Sequence, residues 1–106
     1  VGECNVAFEE WQRKQIFARA NARCEHCGKS WNAPDFFMLE CDHIVPLSMG
    51  GENHVDNGQL LCRRCHAKKH MQLAKEAKAR GDKKAYIDND RAARMIGRKS
   101  DKRYGY

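Results

Sequence analysis

The apolar positions of the chain change period three times, and each change marks an element. Phe8, Trp11, Ile16, Phe17 and Ala20 recur at an approximate helical spacing, predicting a first helix over residues 5–22. Asn5 is its expected N-cap, Glu9 and Glu10 sit near its positive end, and Trp11 is expected in its core-facing stripe. Residues 29–35 form a loop with Asn32, Pro34 and Asp35 as turn formers. The run from Phe36 to Val45 predicts a strand, with Glu40 and Asp42 on one face and Leu39, Cys41 and His43 on the other. Pro46, which cannot donate to a ladder, ends it.

Residues 46–58 read as a long loop whose Gly50-Gly51 and Asn57-Gly58 pairs signal tight turns. Loops of that length are uncommon unless they serve a function. A short strand over Gln59–Leu61 follows, then a helix from Arg63 to about Arg80, stopped by Gly81. A last helix is expected over Lys83–Ile96, with R-K-S-D-K-R-Y-G-Y as a basic tail. The pattern describes a small, predominantly helical α+β protein. Its 106 residues suit a single domain, with the core at about residues 24–80 and a helix plus tail over 81–106.

Charge sharpens the picture because it is unevenly placed. Residues 1–62 carry five basic and nine acidic side chains, a net of −4, whereas residues 63–106 carry fifteen and five, a net of +10. A basic half of this kind suits a polyanionic partner, although a solvated helical face gives the same count. No apolar run approaches the roughly 20 residues that cross a bilayer, and no signal-peptide pattern opens the sequence. The expectation is an intracellular, cytoplasmic protein (nuclear in a eukaryote) with no membrane partner; oligomeric state is not legible.

Six cysteines allow three disulfides in 15 pairings. Four of them, however, form two Cys-x-x-Cys pairs, Cys24/Cys27 and Cys62/Cys65, separated by 34 residues. Two intervening residues let both thiolates of a pair reach one ion at about 2.3 Å, so a structural Zn²⁺ is expected on these four ligands. A redox dithiol is the competing reading for either pair alone. His26 lies inside the first pair and is expected to face solvent, though it could replace a cysteine. Cys4 and Cys41 remain as free thiols.

A second constellation carries chemistry that a filled sulfur cage cannot. Hydrolysis of a phosphodiester needs a base for water, a cation for the charge on phosphorus, and help for the departing oxygen. His43 suits the base, because an unperturbed imidazole titrates near pH 6.5. Asp42 and His66 suit metal ligation, as a hard oxygen and an imidazole nitrogen. Asn57 can fix the loop by hydrogen bonding.

The string D-H-I-V-P, then G-G, then N, then L-C-R-R-C-H-A-K-K resembles the HNH endonuclease family in its zinc-stapled, four-cysteine branch. The resemblance covers about residues 24–70. It implies a ββα-metal (His-Me finger) core with flanking helices, His43 as general base, and Asp42 and His66 as ligands of a catalytic divalent ion. That ion would be Mg²⁺ or Mn²⁺, other divalent ions also being compatible. Asn57 is implied as the residue that holds the catalytic loop, or in some members as a metal contact. The implied reaction is metal-dependent endonucleolytic cleavage of DNA, nicking or double-stranded, leaving 5′-phosphate and 3′-hydroxyl ends.

Two features depart from the family pattern. Cys41 stands where an apolar residue is usual. His70 follows His66 by four positions, similar to the H-x-x-x-H pair of the nuclease colicins. It is a possible additional ligand, with a surface or phosphate-contacting histidine as the alternative. His54 reads as a solvated loop histidine. Arg63, Arg64, Lys68 and Lys69 flank His66 and are expected to grip phosphates of duplex DNA without reading bases. Two other classes stay open: a catalytically silent zinc-finger module that binds nucleic acid, and a structural zinc domain within a larger assembly.

Overall fold

The structure is a computed structural model and describes residues 8–98. In chain order it contains α1 (Glu10–Ala20), β1 (Leu39–His43), β2 (Gly58–Cys62), α2 (Arg63–Ala79) and α3 (Lys83–Arg98), with short 3₁₀ turns at Asp35–Met38, Leu47–Met49 and Val55–Asn57. The two strands pair as an antiparallel sheet. The order β1, loop, β2, α2 is that of the ββα-metal fold. The residues divide into two compact units between Leu61 and Cys62.

In the first unit, α1 begins at Glu10, five residues later than the expected start at residue 5. Glu9 is the N-cap, and its backbone N–H donates to Gln12 Oε1 at 2.8 Å. Such a reach-back contact satisfies one of the donors a helix start leaves orphaned. Phe8 therefore precedes the helix, and the expected cap at Asn5 lies outside the described residues. The buried positions of the helix are Gln12 and Ile16, one turn apart, and Trp11 projects away, 52 % exposed. Trp11 is thus a surface residue and not part of the core.

The predicted strand over Phe36–Val45 is shorter than expected. Asp35–Met38 coil into a 3₁₀ turn, and the strand proper is Leu39–His43. A continuous apolar run suits either geometry, and here the turn at Pro34-Asp35 starts it coiling. Beyond His43, Ile44 N–H still donates to Asn57 O at 2.8 Å, after which Pro46 ends the pairing. Phe8, Ile16, Trp31, Met38, Leu39, Leu60 and Leu61 are buried. Each fully buried aliphatic side chain contributes roughly 1.5–3 kcal/mol.

Gly58 decides how closely α1 approaches β2. A Cβ there would stand 2.3 Å from Ile16 Cδ1 and 3.1 Å from Phe8 Cζ. Arg19 clamps the same junction, donating to Gly58 O at 2.7 Å and Val55 O at 3.1 Å while pairing with Glu25 at 2.9 Å.

The second unit is a helical hairpin. Besides Cys65 near the start of α2, the buried positions of the two helices are small residues, Ala74, Ala77 and Ala93, which allows α2 and α3 to pack closely. Gly81 sits at φ +79°, where a side chain would be strained, and turns the chain after Ala79. Asp82 then caps α3, accepting from Ala85 N–H at 3.1 Å. Helix α3 runs to Arg98, two residues beyond the expected end, and the basic tail from residue 99 onward lies outside the described residues. Among the described residues no helix is long and apolar enough to cross a membrane.

Candidate metal centre and active site

The first Cys-x-x-Cys is a hydrogen-bonded knuckle. Cys24 N–H donates to Lys29 O at 2.9 Å and Gly28 N–H to Cys24 O at 2.8 Å, while Gly28 takes φ +81° to close the turn. Cys27 N–H points at Cys24 Sγ at 3.4 Å, holding the two ends of the knuckle together. Glu25 ties the knuckle to the end of β2: its N–H donates to Leu60 O at 2.8 Å, and its carboxylate accepts from Leu60 N–H at 2.9 Å.

That tie brings the knuckle to a strand end two residues short of Cys62. The Sγ atoms of Cys24, Cys27, Cys62 and Cys65 lie within 4.8 Å of one another. Three of the four cysteines are buried and Cys27 is exposed. All four are free of disulfides. Four soft sulfurs at this spacing match the donor set of a closed, tetrahedral zinc site. His26 is exposed beside them. Cys41 is likewise a free thiol, its Sγ facing Arg13 O at 4.0 Å. Burial pushes this thiol upward, with the positive charges of Arg13 and Arg19 pulling the other way. Cys4 lies outside the described residues.

Asp42, His66 and His70 form a second group, one ligand atom of each lying within 4.8 Å of the others. A carboxylate with two imidazoles is a mixed oxygen–nitrogen set suited to a divalent ion with positions left open. Asp42 and His70 each have an orienting neighbour within their own unit. Asp42, 9 % exposed, accepts from Gln59 Nε2 at 3.0 Å across the strand pair. His70 Nδ1 lies 2.9 Å from Asn89 Oδ1 on α3, and Asn89 Nδ2 donates to Ala85 O at 2.9 Å. An amide oxygen accepts only, so Nδ1 carries the proton and Nε2 presents its lone pair. The His66 and His70 rings are 5.0 Å apart between centroids.

His43 ends β1. Its Nε2 lies 2.8 Å from Asn53 Oδ1, and its ring stacks on Phe8 at a centroid separation of 4.0 Å. The neighbouring residues Asp42 and His43 thus find different partners. The loop after His43 is closed by Asn57, whose Oδ1 accepts from Val45 N–H at 2.9 Å. Its Nδ2 donates to Val45 O at 3.0 Å and to Glu52 O at 2.7 Å. Gly51 makes this closure possible: a Cβ there would sit 1.9 Å from Val45 O. His54 is exposed and accepts from Asp56 N–H through Nδ1 at 3.0 Å, a turn contact.

Arg63 and Arg64 occupy the first turn of α2, with Lys68 and Lys69 one to two turns on; Arg64 and Lys68 are exposed and the other two half-buried. Sequence reasoning missed Gln59, Asn53, Gln12 and Asn89. Each acts through a tertiary contact, and no local pattern marks it.

Residues 24–72 match the family model described as HNH endonuclease. This stretch is an HNH endonuclease domain. The chain is also 40 % identical over 60 residues to the "Type IV methyl-directed restriction enzyme EcoKMcrA" of Escherichia coli (strain K12). That alignment covers 52 % of this chain and 21 % of the relative, so the chain corresponds to about a fifth of that protein. No solved structure gives a significant match. The HNH match begins at Cys24, the first cysteine of the four-sulfur group, and ends past His70, leaving α1 and α3 outside it.

Proposed function

We propose that this HNH domain is a metal-dependent endonuclease that hydrolyses phosphodiester bonds of duplex DNA. The observation that supports the reading most is the convergence of Asp42, His66 and His70, with the first of them directly preceding His43 in sequence. Relatedness to a restriction enzyme favours DNA as the substrate.

In this reading His43 accepts a proton from water, and the resulting hydroxide attacks phosphorus in line with the departing 3′ oxygen. The P–O3′ bond breaks, leaving a 5′-phosphate and, after protonation, a 3′-hydroxyl. A divalent ion, Mg²⁺ or Mn²⁺, held by Asp42, His66 and His70 would offset charge on the phosphorane and the departing oxygen. Gln59 and Asn89 keep the Asp42 and His70 donors aimed. Asn57 holds the loop shut behind His43 and, with both ends of its amide engaged by backbone, acts on loop geometry. Arg63 and Arg64, at the positive end of α2, and Lys68 and Lys69 bind flanking phosphates. The four cysteines hold a structural Zn²⁺ apart from the chemistry.

A supercoiled plasmid, incubated with Mg²⁺ or Mn²⁺, tests this. Wild type is expected to give relaxed circles, and His43→Ala none, at equal zinc content. Equal nicking by both refutes His43 as the base. No nicking by either, with DNA retardation retained, makes the chain a zinc-stapled nucleic-acid-binding module instead.

A further inference from the structure

We propose that α1, which lies outside the family-matched residues, positions the general base through a relay from Gln12 to Asn53 to His43. The inference rests on the reading of His43 as base and adds which ring nitrogen does the work and what aims it.

The relay is defined by three short contacts. Gln12 is 5 % exposed, and its Oε1 accepts from Glu9 N–H at 2.8 Å. With the oxygen committed there, Nε2 must be the end that donates to Asn53 O, at 3.0 Å across 41 residues of sequence. The helix start thereby fixes both the orientation of the Gln12 amide and the place of Asn53 in the loop. Asn53 Oδ1 in turn meets His43 Nε2 at 2.8 Å. Because an amide oxygen only accepts, Nε2 carries the ring proton and the lone pair resides on Nδ1. Phe8, held at the helix entrance by the Arg13 guanidinium on its carbonyl and 4 % exposed, lies against the imidazole at 20° to its plane and limits ring tilt. Nδ1 is therefore the atom that takes the proton from water, and α1 sets its direction.

The test combines kinetics with nitrogen NMR on the full chain labelled with ¹⁵N-histidine. Long-range ¹H–¹⁵N correlations of wild type at a pH where His43 is neutral are expected to show the Nε2–H tautomer. Asn53→Ala is expected to mix the tautomers and to lower kcat by about tenfold with KM for DNA unchanged. Asn53→Asp keeps an acceptor oxygen in the same place and is expected to recover most of both. Gln12→Glu keeps the acceptor for Glu9 N–H but loses the donor to Asn53, and is expected to lower kcat by about threefold. Zinc content and melting temperature of each variant report folding. If Asn53→Ala does not fold, Asn53→Asp and Gln12→Glu decide. An Nδ1–H tautomer in wild type, or Asn53 and Gln12 variants with wild-type kcat and tautomer, overturns the relay while leaving His43→Ala to judge the base. Nicking by His43→Ala at the wild-type rate would sink the catalytic reading instead, and the tautomer spectra would then be read without it.

Discussion

The four-sulfur group and the Asp42–His66–His70 group are built from the same short stretch of chain, yet they differ in almost every physical respect. Three of the four cysteines are buried, whereas both histidines are half-exposed. The sulfurs are identical soft donors, the set a tetrahedral zinc would take; the second group has only three, of mixed hardness. Cys24 and Cys27 are fixed by backbone turns local to their knuckle. The carboxylate and imidazole are aimed by amide side chains, Gln59 and Asn89, that come from other elements. A site meant to hold the fold closes its coordination and hides it. On the proposed function, a site that exchanges water and phosphate leaves room, and depends on neighbours for its geometry.

The comparison breaks most visibly at the cage. Cys24→Ser or Cys62→Ser is expected to abolish zinc binding and with it the folded state, since a structural zinc contributes on the order of 10 kcal/mol of apparent folding energy. Far-ultraviolet circular dichroism and metal content check it. A variant that stays folded without metal would make the cage incidental. At the second group, His66→Ala is expected to reduce nicking by at least about 100-fold while zinc content and melting temperature hold. Brief EDTA treatment should likewise stop nicking reversibly, with circular dichroism unchanged until zinc itself departs. Simultaneous loss of fold and activity would erase the distinction between the two groups.

Two glycines give smaller, purely steric effects. Gly58→Ala drives a methyl against the Ile16 side chain and is expected to destabilise by about 1–3 kcal/mol in urea melts. Gly51→Ala meets the Val45 carbonyl instead, so it should distort the loop and lower kcat more than stability. The smallest effect lies at Cys41. Burial raises its thiol above the ordinary value of 9.0, so the folded state favours the neutral form. The unfolded chain ionises first as pH rises. Wild type should therefore lose stability relative to Cys41→Ala only from about pH 9 upward, with the two parallel below it.

Much of this protein is written in short spacings. Two Cys-x-x-Cys pairs, the Asp42-His43 pair and the Gly-Gly and Asn-Gly turns each depend on neighbours one to three positions away. Local backbone geometry is enough to make them meaningful. The start of α2 and its stop at Gly81 were legible for the same reason. The family match rests on these residues too.

What the sequence could not give was whatever depends on distant partners. Trp11 and Ile16 look alike as apolar residues; only the start of α1 at Glu10 and its seating against Gly58 send one outward and the other inward. Whether Phe36–Met38 extends or coils is not encoded in an apolar run. Gln12 and Asn53 are unremarkable polar residues until the chain between them, a separation of 41 positions, folds back and places one beside the other. Composition and spacing determined which chemistry the chain can hold, because those are properties of single residues and near neighbours. Tertiary structure decided which nitrogen, oxygen or ring faces which, because orientation is set by contacts that no local pattern records.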